Sequence, residues 1–288
     1  MKDAHGSLVP HTAHRVGIVY QERYPEASAL GRTLHNRLLA EGYECWSVAS
    51  ASEYKIDERL AATDVVLVLG GDGTILSAAR ACAPLNVPLL GINFGRVGFL
   101  TELEPQDVGA QLEYYLRGEY WVDERSMLSA EVELNSTRHH MLALNDVVLA
   151  RRAQPRVIRV DIRIDHHAYG TVVADGVIVC TATGSTAYNL AAGGPILHPQ
   201  VRSPVVTPIS PHLASSRSVV LEPQASIMLE VVAGSGGAVL SADGQINHDV
   251  PDGTQVKITA NQSVTRFLRR RPPTDFYHVL TSKLREPI

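Results

Sequence analysis

The chain has little cysteine, few aromatic residues and no strong excess of one charge. Its three cysteines are widely spaced and form no CxxC pair, which argues against a structural zinc site. We expect Cys45, Cys82 and Cys180 to be buried, reduced thiols of a cytoplasmic protein. The net charge of −4 is not the basic excess of proteins that bind nucleic acids or membrane surfaces, so neither kind of partner is expected.

Long apolar runs are also missing, because no run approaches the ~20 residues that cross a bilayer. Residues 1–13 are polar and lack the apolar region of a secretory signal, so they are predicted to form a flexible leader. What the chain does have is 45% apolar and 19% charged residues over 288 positions. This is the composition of a soluble globular protein with a full core, in one large or two ordinary domains.

The order of predicted elements divides the chain in two. Residues 14–118 alternate strands and helices, with a strand predicted at Arg15–Tyr20 and a helix at Pro25–Ala40. Such alternation indicates an α/β domain with a parallel sheet covered by helices. Residues 119–265 alternate short strands with turns, which predicts a mainly antiparallel β-sandwich. Residues 266–288 are predicted to pack back on the α/β domain.

The most informative stretch is a buried strand, Val65–Leu69, followed by GGDGT and a helical pattern. Glycines at positions 70, 71 and 73 let backbone N–H groups approach a phosphate at the start of a helix. Asp72 is the one acidic residue among these glycines, and its side chain is predicted to face the group that they bind. The pattern predicts phosphate binding by Gly70, Gly71, Gly73 and Thr74, with Asp72 as a base or metal holder in phosphoryl transfer.

A turn of this kind has a simpler explanation, since glycine and aspartate are ordinary turn residues in α/β proteins. Two better-known phosphate motifs are excluded. No lysine follows the glycines at the P-loop spacing. The GxGxxG pattern of dinucleotide-binding turns is absent here as well.

A second dense region runs from Asp175 to Ile196 (DGVIVCTATGSTAYNLAAGGPI). An apolar strand leads into four hydroxyl residues around Gly184, and a helix is predicted at Thr186–Ala192. Hydroxyls and free N–H groups at a helix start suit sugar hydroxyls, an adenine edge or a phosphate. An ordinary N-cap cluster explains them equally well. Ser185 as a hydrolase nucleophile is disfavoured, because Ala187 replaces the second glycine of the GxSxG elbow.

Asn145 and Asp146 form a third candidate, since they are two polar residues in an apolar strand and buried polar groups need partners. Three arginines near the C-terminus, Arg269, Arg270 and Arg271, are expected at the surface.

These pieces, in this order, resemble the NAD kinases, especially the bacterial ones. The likeness rests on GGDGT, on Asn145-Asp146 and on the long stretch from Asp175, which is the most specific of the three. LGINFGRVGFL from Leu90, TPISPHLASSRSVVLEP from Thr207 and the Asp243-Gly244-Gln245 turn support it.

The resemblance implies transfer of the γ-phosphoryl group of ATP to the 2′-hydroxyl of the adenosine ribose of NAD, which gives NADP. Asp72 matches the proton acceptor of the family. Other positions match substrate contacts in the β-rich, NAD-binding domain or beside Asp72. The implied NAD-binding residues are Asp72, Gly73, Asn145, Asp146, Arg156, Asp175, Thr183, Thr186, Ala187, Tyr188, Asn189, Leu190, Ala191 and Gln245.

The resemblance also implies Mg²⁺, bound by ligands that the sequence does not identify, and a homodimer or homotetramer whose site draws residues from two subunits. Three departures from the family pattern stand out. Ala182 replaces a usual proline, and Asp146 stands where glutamate is more usual. Val173 stands at a position linked to donor choice and matches neither the ATP-only nor the polyphosphate-using pattern, so polyphosphate remains a possible donor.

Two other functions fit parts of the pattern. Lipid and sphingoid-base kinases share GGDG, but they need an apolar pocket where this chain has a hydroxyl-rich loop. A sensor that binds NAD or NADP without chemistry would have no need of Asp72.

Overall fold

The computed structural model describes residues 11–50, 58–95, 98–152, 156–212 and 217–285. Residues 1–10 of the predicted leader, Arg96 and Val97 of the LGINFGRVGFL stretch, residues 213–216 and residues 286–288 lie outside the described part. Of the predicted leader, Ala13 is buried and its N–H donates to the carbonyl of Leu116 at 2.8 Å. The chain divides into unit 1, residues 1–124 and 265–288, and unit 2, residues 125–264.

The strands of the described residues are β1 (Arg15–Tyr20), β2 (Glu44–Ala49), β3 (Val65–Gly70), β4 (Leu89–Asn93), β5 (Trp121–Leu134), β6 (Thr137–Ala143), β7 (Asp146–Arg151), β8 (Ile158–Ile164), β9 (His167–Ala174), β10 (Gly176–Cys180), β11 (Val205–Ile209), β12 (Val219–Val220), β13 (Ile227–Val231), β14 (Ala238–Ala242), β15 (Ile246–Val250) and β16 (Gln255–Arg269). The α-helices are α1 (Pro25–Ala40), α2 (Glu58–Ala61), α3 (Asp72–Cys82), α4 (Val108–Leu116), α5 (Tyr188–Ala191) and α6 (Asp275–Arg285). Short 3₁₀ helices lie at Ala83–Leu85, Pro105–Asp107 and Gly184–Thr186.

Unit 1 is built on a parallel sheet in the order β2-β1-β3-β4-β16. Strand β3 is buried along its whole length, which explains its continuous apolar run. Its last residue, Gly70, lies opposite Asn93 at the end of β4. The GGDGT turn therefore stands at the carboxyl edge of the sheet, where open α/β sheets bind ligands.

Unit 2 contains two antiparallel assemblies. One pairs β16, β13, β8 and β9, and the other has the order β12-β11-β10-β7-β14-β15. Side chains of the central strand β10 alternate between two cores. Val177 and Val179 face the large core shared with the first assembly, while Ile178 and Cys180 face a smaller cluster that Ala192 and Leu197 help to cover. The segment after β10 thus folds back over its own sheet.

The fold-class prediction is confirmed, with a parallel α/β unit and an antiparallel unit. Strand β1 and helix α1 have the predicted bounds. The helix predicted at Thr186–Ala192 is wrong, because Ala187 leaves helical geometry (φ −100°, ψ −126°) between a 3₁₀ turn and the short α5. Cys82 and Cys180 are buried as expected, whereas Cys45 is only partly buried, and all three are free thiols. Within the described residues, no helix combines the length and hydropathy of a membrane-spanning helix.

Candidate active site

The GGDGT turn brings bare backbone to the start of helix α3. Gly71 is extended (φ −97°, ψ −175°) and Asp72 is the first helical residue. A Cβ on Gly70 would collide with the side chain of Thr74, so only glycine lets the turn close this tightly. Thr74 is buried, and its N–H donates to the carbonyl of Gly71 at 3.0 Å. The first N–H groups of a helix attract anions, and Asp72 and Gly73 supply them here.

Backbone N–H groups of a neighbouring loop hold the carboxylate of Asp72 in place. The N–H of Phe99 donates to Oδ2 at 3.1 Å, and the N–H of Leu100 donates to Oδ1 at 3.2 Å. A side chain on Gly98 would overlap the carboxylate itself. Asp72 is half-buried, so this pair of hydrogen bonds orients the acid without enclosing it.

In unit 2, the candidate pair Asn145-Asp146 is held by a third residue, Asp243. Its carboxylate accepts three backbone N–H groups, from Leu144 at 3.1 Å, Asn145 at 2.8 Å and Asp146 at 3.2 Å. Asp243 itself has a positive φ of 52° and precedes Gly244, so the turn points its side chain back at the start of β7. In the sequence this turn supports the family resemblance and supplies Gln245, but its pattern does not reveal that the carboxylate of Asp243 holds the start of β7.

Burial of Asp146 changes its acidity. Desolvation, together with the nearby charge of Asp243, raises the pKa of Asp146 from 3.8 to about 7. The residue is 5% exposed and forms the first residue of β7. Its carboxyl can therefore present either an O–H donor or a charged acceptor near neutral pH.

The hydroxyl-rich loop is built against the backbone of Asn145. The N–H of Thr181 donates to the carbonyl of Asn145 at 2.9 Å, and the hydroxyl of Thr181 donates to that of Leu144 at 2.6 Å. A Cβ on Gly184 would overlap the backbone of Asn145. The loop's glycine is thus required by close approach of the two segments.

The predicted contacts within this loop differ in exposure. Tyr188 is 45% exposed and Ala191 is exposed, while Thr183 is buried and its hydroxyl accepts from Arg125 at 3.3 Å. Arg125 was not singled out from the sequence, because nothing in its local pattern marks it. Three further predicted residues are partly buried: Thr186, Ala187 and Leu190.

Asn189 is fully buried, and protein groups occupy its amide. Its Nδ2 donates to the carbonyls of Ser185 at 3.1 Å and Pro195 at 3.0 Å. Its Oδ1 accepts from the hydroxyl of Thr207 at 2.7 Å. These bonds fasten helix α5 to the loop on both sides and to strand β11 beneath it.

Strand register shows which predicted residues meet. Cys180, which precedes the hydroxyl loop, lies opposite Asp146. Ala242, which precedes the turn with exposed Gln245, lies opposite Val147. One end of the six-stranded sheet therefore carries the hydroxyl loop, Asn145-Asp146 and the turn with Gln245. Asp175 and Arg156 do not join them. Asp175 precedes β10 at the other end, where its Oδ1 accepts from Arg151 Nε at 2.6 Å, and Arg156 is exposed in the β7–β8 connection.

Metal ligands can be sought by the same geometry. Among the described residues, no three histidine, cysteine, aspartate or glutamate side chains converge where they could hold a metal.

Comparison with known proteins gives the same assignment for both parts of the chain. Residues 33–120 match the family model of the ATP-NAD kinase N-terminal domain, and residues 144–270 match that of the C-terminal domain. The NAD kinase of Dehalococcoides mccartyi strain CBDB1 is 40% identical over 273 residues, which cover 94% of this chain and 96% of that protein. The NAD kinase of Carboxydothermus hydrogenoformans is 41% identical over 254 residues, covering 88% and 89%.

Two solved structures share the fold. An NAD kinase from Archaeoglobus fulgidus in complex with ATP has a TM-score of 0.76 and 26% identity, covering 94% of this chain and 98% of that one. Yeast NADH kinase complexed with NADH has a TM-score of 0.80 over 95% and 88%, and at 21% identity it supports the fold alone. Taken with the site geometry, these matches show that the chain belongs to the NAD kinase family.

Proposed function

We propose that Asp72 is the general base of an NAD kinase reaction in this chain. As a family member the chain is an enzyme that phosphorylates NAD with ATP as donor. In the proposed step the 2′-oxygen of the adenosine ribose attacks the γ-phosphorus, the bond from that phosphorus to the bridging oxygen breaks, and ADP leaves. The proton of the 2′-hydroxyl passes to the carboxylate of Asp72. The observation that carries the proposal is the oriented, half-buried carboxylate at the start of α3.

The donor phosphates are assigned to the bare backbone at Gly70, Gly71 and Gly73, with Thr74 closing the turn. Backbone N–H groups at a helix start are suited to phosphate oxygens, because they point outward and carry the positive end of the helix dipole. Mg²⁺ carried by those phosphates would offset their charge. Whether polyphosphate also serves as donor is a separate question, which a parallel assay with polyphosphate in place of ATP answers.

We assign the dinucleotide to unit 2 and infer that this unit is the NAD-binding domain. Unit 1 is the α/β domain. Asn145, Asp146 and the loop from Thr183 to Ala191 lie together at one sheet end, with Gln245 in the adjoining turn. Asp146 can donate or accept a hydrogen bond there, and exposed Tyr188 offers a ring face. Asn189 contributes through its backbone, since its side chain is fully used by protein partners.

Asp175 and Arg156 require a different arrangement. Asp146 lies opposite Cys180 at one end of β10, whereas Asp175 directly precedes Gly176 at the other end. Cys180 and Gly176 are four residues apart along the strand, a distance of about 14 Å, so Asp175 lies well away from Asp146. We infer that Asp175 and Arg156 contribute to the active site of a second subunit in a cytoplasmic homodimer or homotetramer.

The decisive experiment replaces Asp72 by asparagine, which keeps the side-chain size and removes the base. We expect kcat for NADP formation to fall ~10²–10⁴-fold while the Kd for NAD stays nearly unchanged. NADP is measured with an NADP-specific dehydrogenase. Asp249→Asn, an exposed carboxylate on β15, is the matched control and should leave both constants unchanged.

Three outcomes would count against the proposal. Near-normal turnover by Asp72→Asn would remove Asp72 from the role of base. NAD binding without turnover in the wild type under Mg²⁺ and ATP would favour the sensor. Labelling of diacylglycerol rather than NAD by radioactive ATP would favour a lipid kinase.

A further inference from the structure

The loop that orients Asp72 is itself held by the last part of the chain. Its donors, the N–H groups of Phe99 and Leu100, are followed at once by Thr101 and Glu102. The carbonyl of Thr101 accepts from Arg269 Nη1 at 3.0 Å. The four residues Phe99–Glu102, called here the base-holding segment, therefore bridge Asp72 and the end of strand β16.

Glu102 is the main anchor of that segment. Its carboxylate is 3% exposed and accepts the backbone N–H groups of Arg270 at 2.8 Å and Arg271 at 3.1 Å. It also accepts from Arg269 Nη1 at 3.2 Å and from the hydroxyl of Tyr115 at 3.0 Å. A buried carboxylate with this many donors has one low-energy position, because any displacement leaves a charge unsatisfied.

Arg269 contradicts the sequence-based expectation of a surface residue. Its side chain is 7% exposed, with Nε 3.5 Å from Asp123 as well as Nη1 near Glu102. A guanidinium placed between two buried carboxylates fixes their separation, which a freely hydrated arginine would not do.

The other end of the base-holding segment rests on helix α6. The ring of Phe99 lies 6.1 Å from that of Phe276 and has the ammonium group of Lys283 5.2 Å above it. Helix α6 begins at Asp275, beyond residue 270 where the family match ends. The matched domains therefore do not include this helix, although it contacts the segment that holds the candidate base.

We propose that the stretch from Arg269 through helix α6 is a positioning element for Asp72, acting through the base-holding segment. The inference rests on the proposed role of Asp72 as base. Residues such as Phe276 and Glu102 touch no substrate in this scheme, and they set the direction of a carboxylate that does. Small misplacements of a catalytic group reduce the rate of the chemical step more than they reduce ground-state binding.

The first test is Phe276→Ala, with Leu284→Ala as the control. Leu284 is on the same helix and is 58% exposed, so its replacement tests the loss of a large apolar side chain that mostly faces solvent. We expect kcat to fall roughly 10- to 100-fold in Phe276→Ala, with KM for NAD and ATP within about twofold of wild type. Leu284→Ala should match wild type.

The second test removes the anchor at Glu102. Glu102→Gln keeps the shape and loses the charge, and we expect the same change in kcat. Its control is Tyr115→Phe, which deletes a different donor to the same carboxylate and leaves the bonds from Arg270 and Arg271 intact. Folding of every variant is followed by thermal unfolding, so that a loss of folded protein is separated from a loss of rate.

Repeating both changes in an Asp72→Ala background decides between positioning and a general structural role. If these residues act by aiming Asp72, neither change should lower the residual activity further, because no carboxylate remains to be aimed. Equal fold-losses in both backgrounds, or wild-type kcat in Phe276→Ala and Glu102→Gln, would overturn the inference. A fully active Asp72→Ala would instead overturn the proposed function on which it rests.

Discussion

At the scale of single residues, Asp146 carries a testable dependence of stability on pH. Burial raises its folded pKa to about 7, above the ordinary 3.8, so the folded state holds the proton more tightly than the unfolded state. The stabilisation is therefore complete below the unfolded pKa and is lost as pH rises through 7. Between about pH 5.5 and about pH 8 the loss should reach about 2 kcal/mol.

Asp146→Asn isolates that contribution, since an amide has no charge to bury. Urea unfolding of the wild type and the variant at several pH values gives the comparison. We expect the difference in free energy of unfolding between them to shift by the full amount across the window. Parallel pH profiles for the two proteins would mean that Asp146 does not titrate near neutrality.

The candidate site residues can be picked out from contiguous motifs in the sequence, but the groups that hold them in place cannot. GGDGT, Asn145-Asp146 and the hydroxyl loop are contiguous motifs, and contiguous motifs can be read from a sequence. The groups that orient them come from distant positions. Asp243 reaches back 97 residues to Asp146, and Arg269 reaches 167 residues to Glu102. No local pattern reveals partners brought together only by the fold.

At the scale of elements, helix α5 depends on a hydrogen bond from the strand beneath it. Thr207→Val should destabilise the protein by ~1–3 kcal/mol, because it leaves the buried Oδ1 of Asn189 without its donor. Thr33→Val makes the same chemical change at an exposed position of helix α1, where the hydroxyl donates to the carbonyl of Ala29 at 3.0 Å, and should cost much less. Equal losses in chemical denaturation would show that the Thr207 bond has no special role.

Elements were predictable where burial gives a clear period. The fully buried strands β3 and β10 stood out as apolar runs, and α1 as a stripe of leucines. Strand β15 was missed because its five residues include Asn247, His248 and Asp249 on an edge. Between β4 and β5 the chain forms a 3₁₀ turn at Pro105–Asp107 that continues directly as α4, and helix propensity does not distinguish the two kinds of helix.

At the scale of the whole molecule, the separation of Asp175 from Asp146 makes the proposed shared site testable by mixing subunits. Asp72→Asn and Asp175→Asn should each be impaired alone. Co-refolded in equal amounts, they should recover up to about a quarter of wild-type activity, because half of the random dimers contain one intact site. NADP formation is measured before and after mixing, and mixed wild type and Asp72→Asn is the control.

Failure of the mixture to exceed the sum of its parts would place Asp175 and Asp72 in sites of the same subunit or remove Asp175 from the site. Size-exclusion chromatography with light scattering, run on the same samples, shows whether mixed oligomers formed at all.

The parallel sheet of unit 1 is not made from continuous sequence. Its strand next to β4 is the final part of β16, where Phe267 lies opposite Leu89, and 140 residues of unit 2 come between. When the GGDGT turn emerges from the ribosome, the strand that will flank β4 has therefore not yet been synthesised. During synthesis the nascent protein must keep an apolar sheet edge unpaired until the antiparallel unit has emerged, which makes that interval the period when chaperone protection matters most.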